Sequence, residues 1–479
     1  MKFRREFYIN GAWVPPQGAR DWQVLNPSTE EPCTTISLGD QADTDAAVRA
    51  AKAALPKWAA TAPSTRAAII KKIIDQYGKR REEYAEAISL EMGAPIDFSL
   101  AEQAACLPWH TKNFLNAFES IEWIRPLGAQ APNTAVVLEP IGVVGLITPW
   151  NWPVNQIVLK AIPAMLAGCT CVLKPSEEAP LNAMMFAEFC HDAGVPPGVF
   201  NLVNGDGAGV GAQLSQHPDV EMISFTGSTR AGKAISRAAA ETLKRVALEL
   251  GGKGANLIFA DADPRAIKWS INRMMENSGQ SCNAPSRMLV ERAIYDRTVK
   301  EVTALTEAIK VGPALEAGSH IGPLVNMRQW EQVQNYIKKG IDEGARLLCG
   351  GLGRPEEFNR GYFVKPTVFA DVRQGMTIER EEIFGPVMAM IPFDGEDEAI
   401  RIANDTPYGL TNYVHTNDAP RANRLGLALK SGMIEMNRKS RGAGAFFGGV
   451  KQSGRAREGG IWGIEEYLES KVISGFRFE

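Results

Sequence analysis

Seven cysteines and five histidines in 479 residues are too few and too scattered for a disulfide framework or a metal cluster. The cysteine count is odd, and Cys33, Cys106, Cys169, Cys171, Cys190, Cys282 and Cys349 contain no Cys-x-x-Cys pair. Cys169 and Cys171 flank Thr170 inside an apolar run, where alternate strand residues share a face and pack as core. The histidines (His110, His191, His217, His320, His415) show no His-x-x-x-His spacing, so no metal site is expected. Long apolar runs are also missing. Nothing approaches the roughly eighteen residues of a membrane span, and no leader-length apolar stretch follows Met1-Lys2-Phe3-Arg4-Arg5-Glu6 before Pro15-Pro16. Reduced thiols and no leader together lead us to expect a cytoplasmic protein. A formal net charge of -3 argues against a nucleic-acid partner. Basic pairs such as Lys71-Lys72 and Arg80-Arg81 read as solvated helix faces. No internal repeat or low-complexity tract appears.

What is present is an ordinary globular composition, 45% hydrophobic and 22% charged, over a length that suits two or three domains. Residues 40–120 are rich in Ala, Lys, Glu and Arg with helical periodicity, and Asp43-Thr44-Asp45 supplies helix-start chemistry. Residues 121–140 are aromatic, β-branched and broken by Pro126 and Pro132, which predicts an extended excursion. From residue 141 short apolar runs alternate with helical stretches: strands at 141–148, 169–173, 199–203, 222–225 and 246–250, helices at 155–167, 181–193, 208–215 and 230–240. That alternation predicts parallel βαβ units, hence an α/β fold with a doubly wound sheet binding ligands beyond its strand ends. A second α/β series runs from Asn256 to about residue 450, with a helix opened by Asp263-Pro264 and a strand at 287–290. The stretch 461–476 ends in a hydrophobic alternation, read as a terminal strand that needs covering and can pair across a subunit interface.

The residues able to do chemistry fall at strand ends. Cys282 closes Asn277-Ser278-Gly279-Gln280-Ser281-Cys282, and Glu249 opens Glu249-Leu250-Gly251-Gly252-Lys253. A thiolate is the nucleophile, and a free thiol with pKa about 8.5 is mostly protonated at neutral pH, so a base must serve it. Asn151, in Thr148-Pro149-Trp150-Asn151-Trp152-Pro153, offers an uncharged donor for an oxyanion. Taken alone it is also a turn residue before a helix. Lys174-Pro175-Ser176-Glu177 pairs a cation for phosphate or hydroxyl groups with a carboxylate for a ribose diol. That carboxylate repels a 2′-phosphate and so favours NAD over NADP. The same residues suit a helix cap. Thr226-Gly227-Ser228-Thr229 opens a helix whose amides can take a pyrophosphate. The upstream Gly207-Ala208-Gly209-Val210-Gly211-Ala212 fits the usual dinucleotide pattern but follows a later strand, and is read as a loop and helix start. Glu382 could serve a second ribose, with Phe384 beside a flat nicotinamide.

The ordered set Pro149-Trp150-Asn151, Lys174-Pro175-Ser176-Glu177, Phe225-Thr226-Gly227-Ser228, Glu249-Leu250-Gly251-Gly252-Lys253, Gly279-Gln280-Ser281-Cys282, Glu382-Ile383-Phe384-Gly385-Pro386 and Phe447-Gly448-Gly449-Val450-Lys451 resembles the aldehyde dehydrogenase superfamily over essentially the whole chain. The resemblance implies Cys282 as nucleophile, Asn151 with the Cys282 amide as oxyanion donors, and Glu249 as base for hydrolysis of a thioester. It implies cofactor contacts from Thr148, Trp150, Lys174, Glu177, Gly227, Ser228, Leu250, Glu382 and Phe384. Substrate contacts fall to Trp152, Leu159 and Phe447, and a proton-relay role to Glu458. It further implies a Rossmann-like cofactor domain (1–120 and 141–250), a catalytic domain (251–455), a small β oligomerisation segment (121–140 and 456–479), and a homodimer or homotetramer.

Departures narrow the substrate. Phe446 stands where many members have Pro, and Trp152 where Phe or Tyr is common. Leu159 replaces the Arg of members similar to succinate-semialdehyde dehydrogenases, which disfavours a short dicarboxylic semialdehyde. Arg438, Lys439 and Arg441 are read as a solvated basic loop. The expected substrate is therefore an apolar or aromatic aldehyde, with NAD as cofactor. Two rivals are a CoA-acylating member, against which Glu249 argues, and a non-catalytic binding protein, against which the retained nucleophile and base argue.

Overall fold

The computed structural model describes residues 5–18 and 20–478; residues 1–4, 19 and 479 of the ranges above lie outside it. A seven-stranded sheet is ordered Arg245–Glu249, Met222–Thr226, Val143–Ile147, Thr170–Lys174, Phe200–Leu202, Phe7–Ile9, Ala12–Val14. The first five strands are parallel, and the N-terminal hairpin adds the antiparallel edge. Strands Val143–Ile147, Thr170–Lys174 and Met222–Thr226 are buried at every position, as helices on both faces require. The chain leaves Val143–Ile147 toward Thr170–Lys174 and later returns on its other side to Met222–Thr226. The reversal opens a crevice beyond the carboxyl end of Val143–Ile147, the place where open α/β sheets take ligands. Thr148–Trp152 and Gly227-Ser228 sit at that crevice.

A second seven-stranded sheet is ordered Arg346–Cys349, Thr367–Ala370, Val387–Phe393, Arg287–Glu291, Ala255–Ile258, Thr411–His415, Met433–Met436, parallel except for its first pair. The chain is thus an α/β protein with two parallel-sheet layers. A small antiparallel sheet joins Ile124–Pro126, Thr134–Pro140 and Leu468–Ser474.

One local reading is corrected by the structure, and two others are given their bounds. The first long helix, Gln41–Ala59, is capped by Asp40, with Asp43 reaching back to the cap amide, so Asp43 completes a capping box and does not start the helix. The stretch 461–476 does end in a strand. Gly460–Glu465 is helical, and only Leu468–Ser474 is extended, paired over seven residues with Thr134–Pro140 of the same chain. The Gly-rich segment 207–211 is a kinked turn with Gly209 at φ -86°, ψ -105°, its amide held by Asp206, before the short helix Ala212–Gln216. No helix among the described residues is long and apolar enough to cross a membrane, and no group of three or more His, Cys, Asp or Glu there could hold a metal.

Candidate active site

Cys282 is positioned by an unusual backbone. Asn277, Ser278 and Gly279 adopt φ of 53°, 56° and 70°, three left-handed residues in succession. Each non-glycine residue so placed costs on the order of 1–2 kcal/mol and needs surrounding structure to hold it. That structure is present. Asn277 Nδ2 donates to the Asn151 carbonyl at 2.8 Å, and Ser278 Oγ donates to the Gly322 carbonyl at 2.7 Å. A Cβ on Gly279 would lie 2.2 Å from the Gly385 oxygen, so only glycine lets this turn meet Phe384-Gly385-Pro386. Phe384 is itself left-handed, at φ 60°.

The Asn151 loop is joined to the same turn. Asn151 Nδ2 donates to the Gln280 carbonyl at 3.0 Å, leaving its second N–H for another acceptor. Gln103 Nε2 donates to the Asn151 carbonyl at 3.1 Å, and Trp152 Nε1 donates to Ser281 Oγ at 2.8 Å. Gly252 completes the packing, since a Cβ there would stand 2.3 Å from the Cys282 carbonyl. The Cys282 loop, the Asn151 loop and the turn after Glu249 are thus in direct contact.

Carboxylates dominate the electrostatics. Burial pushes the Cys282 thiol well above its ordinary range, and the charges of Glu249, Glu382 and Glu458 push it further. At rest the thiol is neutral. Burial, then Glu458, raise the proton affinity of Glu249, with Lys160 opposing. Neither Glu249 oxygen has a hydrogen-bond partner among the described residues, although the side chain is buried. An uncompensated buried carboxylate is expensive, and here it makes a strong proton acceptor. Gly448 leaves the room for it: a Cβ there would be 3.1 Å from Glu249 Oε1 and 2.1 Å from the Ala456 carbonyl. Behind it lies a buried ion pair between Lys160 and Glu458, whose second oxygen also lacks a partner among the described residues.

Two territories meet at Cys282. On one side Ser228 Oγ caps the helix Thr229–Ala240, accepting from the Ala231 amide at 3.2 Å. There Gly227 leaves only the space that the Phe225 ring allows, and Leu250 is packed against Gly232. Lys174, buried, pairs with the half-buried Glu177 at 3.1 Å, and the Thr148 amide donates to the Lys174 carbonyl at 3.2 Å. Trp150 and Phe384 meet edge to face at 5.5 Å between centroids. Glu382 accepts from the Gly252 amide at 3.0 Å, and burial pushes its carboxyl up to about 7. Helix start, cation and carboxylates form a cradle that suits a dinucleotide.

On the other side a cavity of about 1270 Å³ is lined by Cys282 together with Trp152, Leu159, Phe447 and Phe98. Glu249 and Asn151 are not among its lining residues; they approach Cys282 from behind. Arg441 also lines this cavity, with its guanidinium 4.8 Å from the Phe447 ring centroid, and Arg438 is ion-paired with Asp263 at 2.7 Å. Those two arginines are therefore not the solvated loop read from sequence; Phe447 and Asp263 draw them against the protein.

The profile of the aldehyde dehydrogenase family matches residues 13–473. The chain belongs to the aldehyde dehydrogenase family. This aldehyde dehydrogenase is 48% identical to 3-succinoylsemialdehyde-pyridine dehydrogenase of Pseudomonas sp over 478 residues, 99% of each chain. It superposes with TM-score 0.97 on an aldehyde dehydrogenase of Bartonella henselae, at 55% identity, covering 98% of this chain and 99% of that one. TM-score is also 0.97 for aldehyde dehydrogenase C of Pseudomonas syringae, a cysteine-to-alanine mutant solved with NAD+ and octanal, at 45% identity and coverage of 99% and 97%.

Several residues at this aldehyde dehydrogenase's candidate site escaped sequence reasoning. Lys160 carried a usable signal, as the one ionisable side chain of a helix, Pro153–Ala167, that is otherwise apolar or amide. Gln103 and Asn277 had none, because their role is to hold the Asn151 carbonyl from distant parts of the chain.

Proposed function

We propose that this enzyme oxidises an apolar or aromatic aldehyde to its carboxylic acid with NAD, through a covalent intermediate on Cys282. The observation that carries the reading is a cavity-facing thiol backed by Glu249, a buried carboxylate with both oxygens unpartnered among the described residues. As Cys282 Sγ bonds to the aldehyde carbon, its proton passes to Glu249 and the C=O pair moves to oxygen. The free Asn151 N–H and the Cys282 amide donate to that oxyanion, the kind of contact whose removal costs about 10²- to 10³-fold. Lys174, Glu177, Ser228 and Glu382 would hold NAD, which when bound would supply the acceptor for the hydride that leaves this carbon. The acyl group then remains on sulfur as a thioester. Once the first proton has left Glu249, that carboxylate takes a proton from water as the water oxygen adds, then returns it to sulfur as the C–S bond breaks, so that acid leaves with the thiol restored. The Lys160–Glu458 pair offers the proton on Glu249 a way out of the site.

NAD over NADP is supported by the Glu177 carboxylate beside Lys174, and by the NAD+ held in the Pseudomonas syringae relative. An apolar or aromatic chain is supported by Trp152, Leu159 and Phe447, by the octanal of that same relative, and by the pyridine in the other relative's name. The two seven-stranded sheets and the three-stranded sheet support a cofactor part, a catalytic part and an assembly segment, and the outer edge of Leu468–Ser474 supports a homo-oligomer.

Wild-type enzyme given octanal and NAD is expected to produce NADH and octanoic acid at the same rate with or without CoA. Cys282→Ala is expected to lose activity by at least on the order of 10⁴-fold. Retained oxidation in that variant, or acyl-CoA as product, would overturn the mechanism.

A further inference from the structure

One wall of the substrate cavity is chemically at odds with the rest. Trp152, Leu159, Phe447 and Phe98 present apolar surface beside Cys282, yet the Arg441 guanidinium enters among them, over the Phe447 ring. Its polar contacts are sparse. Nη1 donates to the Phe446 carbonyl at 3.3 Å, and Nε stands 3.7 Å from Glu435 Oε1, too far for a full hydrogen bond. A guanidinium has five N–H donors in a planar fork, so most of this fork is unmatched by protein among the described residues. The other arginines of the cavity are engaged, Arg273 with Glu276 and Arg438 with Asp263, while Lys268 is exposed. Lys310 is exposed as well, and Asn113 Nδ2 is a neutral donor without a partner among the described residues, so Arg441 is the part-buried cation of the cavity with donors left for a ligand, and its charge reaches Cys282, where the ligand's carbon will be bonded.

The ligand's charge follows from Glu435. Burial raises the proton affinity of that carboxyl group, with Arg273 and Arg441 opposing, and its approach to Arg441 Nε at 3.7 Å already offsets part of the guanidinium charge. A substrate carboxylate would meet Glu435 across the same guanidinium, whereas a neutral oxygen accepts from the fork without that repulsion. Resting on the aldehyde-oxidising reading above, we infer that Arg441 is a specificity residue that selects aldehydes bearing a neutral carbonyl oxygen further along the chain, that is, oxo-aldehydes over plain alkanals and over semialdehyde acids. The aromatic wall takes the carbon skeleton, and Arg441 sets its register by one charge-assisted hydrogen bond.

The test compares kcat/KM for pentanal, 4-oxopentanal and 4-oxobutanoate, three chains of similar length that differ in the distal group. Wild type is expected to prefer 4-oxopentanal to each of the others, on the order of 10- to 100-fold over pentanal. In Arg441→Met this ratio collapses toward one, and Arg441→Lys, which keeps charge but not the fork, recovers only part of it. A merely structural Arg441 would instead lower all three substrates together and leave the ratio standing. Equal kcat/KM for pentanal and 4-oxopentanal in wild type overturns the inference while leaving the aldehyde dehydrogenase reading intact. Preference for 4-oxobutanoate overturns the choice of a neutral acceptor. No turnover of any of the three, or of octanal, overturns the underlying reading itself.

Discussion

Two buried charge clusters lie at either end of the turn Glu249–Lys253, and they are built on opposite rules. At the far end Arg287 is fully buried with four of its five N–H donors matched, while Lys253 Nζ near it has no hydrogen-bond partner among the described residues. Arg287 donates to the Lys253 carbonyl at 3.1 Å, Glu379 Oε1 at 3.1 Å, the Ile402 carbonyl at 3.0 Å and the Ala403 carbonyl at 2.9 Å. At the near end Glu249 has no partner for either oxygen among the described residues, and Glu458 has one oxygen bonded and one bare. The four bonds of Arg287 pin the backbone, whereas the unpartnered Glu249 stores proton affinity, as the proposed base requires.

Substitutions at the two ends should therefore separate activity from stability. Glu249→Gln removes the base and leaves the fold, with an expected loss in kcat of about 10²- to 10⁴-fold. Because thiol attack can still proceed by other bases, NADH should appear as a stoichiometric burst followed by slow hydrolysis. Stopped-flow absorbance reads this, and steady turnover at the wild-type rate would end the assignment. Arg287→Met does the reverse. It leaves Glu379 buried and unpaired, for an expected cost of about 3–5 kcal/mol in unfolding free energy, measured by the denaturant midpoint. Enzyme that remains folded should keep its kcat within a few-fold. A change of less than 1 kcal/mol would show that the Arg287 cluster is not the anchor described.

The smallest expected effect is a pH dependence that the comparison sharpens. Glu382, between the two ends, has its carboxyl raised by burial to about 7, with the Gly252 amide and Lys253 opposing. Below that pH it is protonated and above it ionised, and the ionised form accepts ribose hydroxyls more strongly. KM for NAD should therefore fall as pH rises through about 7, by roughly three- to tenfold. Glu382→Gln should show a KM that is higher and flat across the same range. A wild-type KM insensitive to pH there would remove Glu382 from cofactor binding.

How much of this was legible before folding varies by residue. The parallel βαβ order was readable because buried strands and amphipathic helices alternate with different periods, and Glu249 and Asn151 stand at strand ends where ligands gather; Cys282 instead lies in the connection between helix Arg265–Met275 and strand Arg287–Glu291. The left-handed turn at Asn277-Ser278-Gly279 was not readable. Only Gly279 tolerates that backbone freely, and the other two are held there by Asn151 and Gly322, far away in the chain. Arg441 was misread because Arg438-Lys439-Ser440-Arg441 is basic and ends near glycine, the pattern of a solvated loop. Packing on Phe447 turned it inward.

By itself the sequence determined which chemical groups exist, in what order they follow the strands, and that neither a metal site nor a disulfide framework was to be expected. The tertiary structure alone decided which of those groups lose water and which keep partners. Glu249 and Arg287 are both ordinary charged residues in the chain, and burial without a donor raised the proton affinity of one while burial with four acceptors tied the other to the backbone. Desolvation and pairing depend on atoms brought from distant segments, so no local pattern encodes them.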